Sequence, residues 1–153
     1  MKITVDLITD MSDYNRVRDQ QLGKNMKYAI HQIHLSNEQV DEVNNRNGVV
    51  PAFYQHKLAA TSPFSDDSTE KRIADVKTAS YLYSHVSNIT ADNLEGVFHV
   101  GNMGPEENIE RLAPMFSVSV GDVIVDEDGV ASVVDSFGFT TLDGLVFENK
   151  EII

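Results

Sequence analysis

Residues 116–142, FSVSVGDVIVDEDGVASVVDSFGFTTL, constrain this 153-residue chain more than any other stretch. Two Val-rich runs flank Asp128-Gly129, and a second Asp-Gly pair, Asp143-Gly144, follows directly. An Asp-Gly pair between apolar runs is a strong hairpin signal, because both residues tolerate the positive φ of the tight turns whose twist matches paired strands. The spacing predicts an antiparallel meander of residues 117–125, 130–142 and 145–150. In its first strand Val118 and Val120 have one parity while Val123 and Val125 have the other, so a bulge or bend at Gly121-Asp122 is needed if both pairs are to face inward. On this pattern Val118, Val120, Val123, Val134, Phe137 and Phe139 are core, and Gly121 and Gly129 are backbone devices.

Upstream, strand-like and helix-like segments alternate. Residues 2–8 place Ile3, Val5 and Leu7 on one side, and Ser12 or Asp13 can cap a surface helix through Gln21 that stops at Gly23. Residues 26–35 return to strand alternation. Ser36 and Gln39 have the spacing of a capping box, opening a short helix with Val40 and Val43 as its apolar positions and an end at Asn47-Gly48. Residues 49–60, VVPAFYQHKLAA, read as a strand with Pro51 at its start or on an edge, since proline cannot donate to a ladder. Ser68 can cap a helix through Ala79 with Ile73 and Val76 inward, and residues 81–89 alternate again. Another helix starts within residues 90–95, with Leu94, Val97 and Phe98 on one face. Gly101, Gly104 and Pro105 then break regular structure, leaving residues 99–115 as a loop with at most one helical turn around 106–112. This order predicts an α+β fold: a mostly antiparallel sheet, short helices on one side and a C-terminal three-stranded meander, in one domain of residues 1–153.

Composition restricts the chemistry. With no cysteine, disulfides, thiolate catalysis and cysteine zinc sites are excluded. No apolar run approaches the roughly 20 residues that cross a bilayer, and acids interrupt the N-terminal MKITVDLITD where a signal peptide is apolar. A cytoplasmic protein with no membrane partner is expected. The net charge of −12 is uneven: residues 1–100 hold 13 acids and 10 bases, whereas residues 101–153 hold 11 acids against Arg111 and Lys150 alone. Such a surface repels phosphate backbones, which disfavours direct nucleic-acid binding, and attracts basic protein surfaces. Solubility by itself is the other reading of the same surplus.

Each candidate chemistry needs its own geometry. His31 and His34 are three apart, a spacing that joins two imidazoles on a helix but puts them on opposite sides of a strand, and the local pattern is a strand. Asp122, Asp126, Glu127, Asp128 and Asp135 lack the ligand spacing of a calcium loop, and turn chemistry accounts for residues 126–129. No pair of carboxyls is marked by apolar surroundings, no Gly-x-Ser-x-Gly elbow surrounds Ser117, Ser119 or Ser136, and the Lys-Ser/Thr of a phosphate loop is missing near Gly101 and Gly104. No catalytic residue, metal or cofactor is expected. What remains is a contact surface: Glu106, Glu107, Glu110, Asp126, Glu127 and Asp128 as charge-bearing groups, with Phe64 and Met103 as apolar anchors.

Three segments carry a resemblance: ITADNLEGVF at residues 89–98, SVSVGDVI at 117–124 and VDSFGF at 134–139. Together they resemble the YodL-like domain and related small accessory proteins of phages and other mobile elements, over residues 80–142. Ala131 and Ser132 depart from the pattern, standing where that family usually carries an aromatic residue. The resemblance implies a mobile-element accessory module and carries over no enzymatic residue, while residues 1–80 resemble nothing recognised. The expected function is a non-catalytic protein that inhibits a host protein with a basic surface, of the anti-restriction or anti-CRISPR type, by occlusion. A homo-oligomeric assembly protein is the alternative, and a small hydrolase or nucleotide-binding protein the second.

Overall fold

The computed structural model describes residues 26–63 and 69–149. The strand and helix expected within residues 1–25, the Ser68 cap and the anchor Phe64 therefore lie outside the described residues. Met26–Ile33 (β1), MKYAIHQI, is buried from Tyr28 onward, because it has a hydrogen-bonded neighbour on each side and a packed layer on each face. Asn37–Asn44 (α1) follows with both halves of the expected capping box: Gln39 N donates to Ser36 Oγ at 3.1 Å, and Ser36 N donates to Gln39 Oε1 at 2.9 Å. Then come Ala52–Ala60 (α2), Thr69–Thr78 (α3), Tyr83–Ala91 (β2) and Leu94–Met103 (α4). Ile109–Arg111 (β3), Val123–Val125 (β4), Ala131–Val134 (β5) and Phe139–Thr141 (β6) complete a sheet of six strands among the described residues. Its order is β3-β2-β1-β4-β5-β6, antiparallel throughout, and β4 to β6 form the expected C-terminal meander.

The α+β class stands, and the sheet is covered on both faces. Alternation along each strand divides the core in two. Ala29, Val123, Val125 and Val133 pack with Ala60 of α2 and Val76 of α3. Tyr28, Ile30, Ile124 and Val134 face the other way and pack with Val97 and Val100 of α4 and with Val118. The helices are thus shared between two sides rather than laid on one. Among the described residues no helix is long and apolar enough to cross a membrane.

Five local expectations are corrected. Residues 49–60 are not a strand: Pro51 sits at the N-cap of α2, where its missing N–H is not needed, and its carbonyl accepts from Tyr54 N and Gln55 N at 3.1 Å each. Residues 99–115 are not mainly loop, because α4 runs through Gly101 to Met103 and β3 follows a single 3₁₀ turn at Glu106–Asn108. The reason is a close approach: a Cβ on Gly101 would lie 2.2 Å from Val118 Cγ2, so glycine lets the helix settle on Val118 instead of breaking it.

In the meander, residues 130–142 are not one strand and 145–150 form none. The second hairpin turns at residues 135–138, where Asp135 N donates to Gly138 O at 2.9 Å, ahead of Asp143-Gly144. Phe137, expected in the core, stands at the tip of that turn and is 97% exposed, whereas Val118, Val123 and Val134 are buried. The bend before β4 is real and sits at Gly121, with φ of 92° and Ala60 O only 2.6 Å from where a Cβ would be.

Candidate functional site

The β-register brings two distant groups of acids to one end of the sheet. Ala29 of β1 pairs with Val125, so the following turn, Asp126 to Gly129, lies beyond Ala29 toward Met26. Met26 pairs with Ala91 at the end of β2, and Ile89 pairs with Ile109 at the start of β3, so Asp92, Glu106 and Glu107 occupy that same end. Glu110 lies one step in, opposite Asn88, whose Nδ2 donates to Glu110 Oε1 at 2.7 Å. β3 and β4 are three strand spacings apart, about 14 Å, within the width of one protein interface. Tyr28, whose ring lies beneath this end, has its hydroxyl pKa raised by burial first and then by Asp126, Glu127 and Asp92.

These acids are not equivalent. Asp126 Oδ1 accepts from Asp128 N at 3.0 Å and Val130 N at 2.9 Å, which makes it the builder of its own turn. Glu127 accepts from the backbone N of Lys27 at 2.7 Å and ties the turn to β1. Glu106 is paired with Arg111, Nη2 to Oε1 at 2.7 Å. Glu107 and Asp128 are exposed and enter no ion pair among the described residues. Met103 is 77% exposed at the end of α4, on the wall of a cleft of about 350 Å³ that Glu106 and Arg111 also line. The register thus places Glu106, Glu107, Asp126, Glu127 and Asp128 at one end of the sheet with Glu110 one step in, while Met103 lies in the separate cleft beside Glu106 and Phe64 lies outside the described residues.

Several polar groups that sequence reasoning passed over are interior fasteners. Gln32 lies on β1, yet its side chain binds the backbone of Phe116 twice, Nε2 to O at 2.9 Å and Oε1 from N at 3.0 Å. The same Nε2 donates to Asp122 at 3.0 Å, and Ser119 N donates to that carboxylate at 2.9 Å. Asp122 is buried beside a cavity of about 420 Å³ that Lys57 also lines. Burial pushes its pKa up to about 7 against the pull of the two hydrogen bonds. This carboxyl can exchange a proton near neutrality; Lys57, Thr61 and Ser119 share the cavity lining with it, and among the described residues no second carboxyl does.

Arg72 of α3, only 2% exposed, donates to Ala60 O at 2.8 Å, to Ser62 O at 2.6 Å and to Asp135 Oδ1 at 3.0 Å, joining the end of α2 to the β5–β6 turn. Burial tends to raise the pKa of Asp135, and hydrogen bonds from Ser136, Thr140 and Arg72, with the Arg72 charge, hold it below the ordinary range. His31 and His34 serve different rings. His31 stacks on His85 and His34 on Phe116, each with centroids 5.0 Å apart. Burial lowers the His31 pKa to about 4, against a 2.8 Å hydrogen bond to Asn149. No group of three or more His, Asp or Glu side chains suited to a metal ion forms among the described residues.

No protein-family model, curated protein or solved structure matches this chain.

Proposed function

We propose that this protein is a non-catalytic accessory protein, of the kind carried by phages and mobile elements, that seats the acidic end of its sheet on a basic host-protein surface. The partner class that fits is a nucleic-acid-handling defence complex, whose phosphate-binding groove an acidic body can occupy in place of a nucleic acid. The observation that supports this reading most is the convergence at one sheet end of acids from residues 92, 106–107 and 126–128, which are separated in sequence. The resemblance of residues 80–142 to mobile-element modules points the same way.

Affinity capture from a bacterial lysate, with the bound proteins identified by mass spectrometry, followed by a competition assay against nucleic acid, tests it. The triple variant Asp92→Lys, Glu107→Lys, Asp128→Lys, at exposed positions, should keep its circular dichroism spectrum and lose the captured partner, and wild-type capture should weaken as salt rises. Capture that survives both changes would remove the electrostatic reading. The second reading, homo-oligomerisation through sheet edges, has short edges to work with among the described residues, where β3 and β6 are three residues long.

A further inference from the structure

A cleft of about 390 Å³ opens between α4 and the β5–β6 turn, at the opposite end of β5 from the acidic turn. Its walls are apolar, formed by Phe98, Val120, Val134 and Phe139, with Glu95 at the rim. The opposite lip is already engaged, since Asp135 is held by Arg72 and Thr140, and Ser136 Oγ donates to Pro63 O at 3.1 Å. Glu95 is exposed and forms no ion pair among the described residues. Phe98 is 40% exposed, and Phe137, between the lip residues Ser136 and Gly138, is 97% exposed. Phenylalanines left in water beside an apolar cleft of ligand-binding size are what an unoccupied contact site looks like.

Charge decides the occupant. A chain of net charge −12 with a carboxylate on the cleft rim repels acidic peptides and second copies of itself alike. We infer that this cleft is a docking slot for one apolar side chain flanked by lysine or arginine on a partner protein, the apolar group filling the space beside Phe98 and the cation meeting Glu95. The apolar walls of the slot belong to other residues than the acidic sheet end, and only its Glu95 stands near that end, three residues after Asp92.

The test is an NMR titration of the ¹⁵N-labelled full chain with two peptides, acetyl-Lys-Phe-Lys-amide and acetyl-Lys-Gly-Lys-amide, in the low millimolar range. The first should shift the amides of Val120, Gly138 and Phe139, and the second should leave them in place. Glu95→Lys, a change at an exposed position, should weaken binding of the first peptide about two- to fivefold, the worth of one exposed ion pair. Phe98→Glu should abolish it. Shifts confined to Glu107, Glu127 and Asp128 with both peptides would overturn the slot while leaving the acidic-end reading in place. No shift with either peptide, or line broadening with protein concentration that shows a second copy covering the cleft, would also overturn it. The acidic-end reading fails separately, through lysate capture that the triple reversal leaves intact.

Discussion

At Asp122 burial and hydrogen bonding pull in opposite directions, and burial wins. The folded carboxyl keeps its proton to about pH 7, whereas the unfolded one releases it near 3.8. The stability this group contributes is therefore complete below the unfolded value and is lost as pH rises through the folded one. His31 has the opposite sign: its ordinary value is 6.5 and its folded value about 4, so its contribution is present above the former and lost as pH falls through the latter. The two oppose each other in the acid range, and near neutrality Asp122 acts alone. Asp122→Asn should become progressively more stable relative to the natural chain between about pH 4 and about pH 7 and level off above that, read from urea-unfolding midpoints across that range. Parallel curves would mean that the carboxyl titrates alike in the folded and the unfolded chain. Such residues were not legible in advance, because Gln32 lies 84 positions from Phe116 and Arg72 lies 63 from Asp135. A charged or amide side chain normally reads as solvent-facing. Ser36 and Gln39, whose partners are three residues apart, were legible at once.

Among the elements, α4 shows how a local rule and a packing contact compete. Replacing Gly101 by alanine gains helix propensity of about 1 kcal/mol. The new Cβ, however, would sit 2.2 Å from Cγ2 of Val118, which is almost wholly buried against the helix. Overpacking of this kind costs about 1–3 kcal/mol, so Gly101→Ala should lower the thermal midpoint, and adding Val118→Ala should recover part of the loss. A raised midpoint in the single variant would contradict the close approach. The same competition accounts for the other corrections. The Asp-Gly pair at 128–129 makes the expected first hairpin, but the chain reverses again at 135–138 before it reaches 143–144. Asp135 there is gripped by Arg72 from another element, a contact that no turn statistic contains.

Over the whole chain, acids outnumber bases by 12. Three ion pairs form among the described residues, Lys71–Asp75, Arg72–Asp135 and Arg111–Glu106, too few to offset the acids gathered at one sheet end. Self-repulsion should therefore outweigh attraction, and raising ionic strength from low salt to about 0.15 M should raise the thermal unfolding midpoint by screening it. A midpoint that falls with salt would show that attractive pairs dominate. By itself the sequence determined the acidity, the absence of thiol chemistry, the antiparallel meander and the short capped helix, since each depends on composition or on residues within a few positions of one another. Only the tertiary structure decided that the helices cover both faces, that Phe137 stands in solvent, that Arg72 and Asp122 are interior, and that acids from three segments share one end. Those outcomes depend on which distant segments meet across the sheet, and strand pairing, which sets that, is governed by long-range packing that no local pattern encodes.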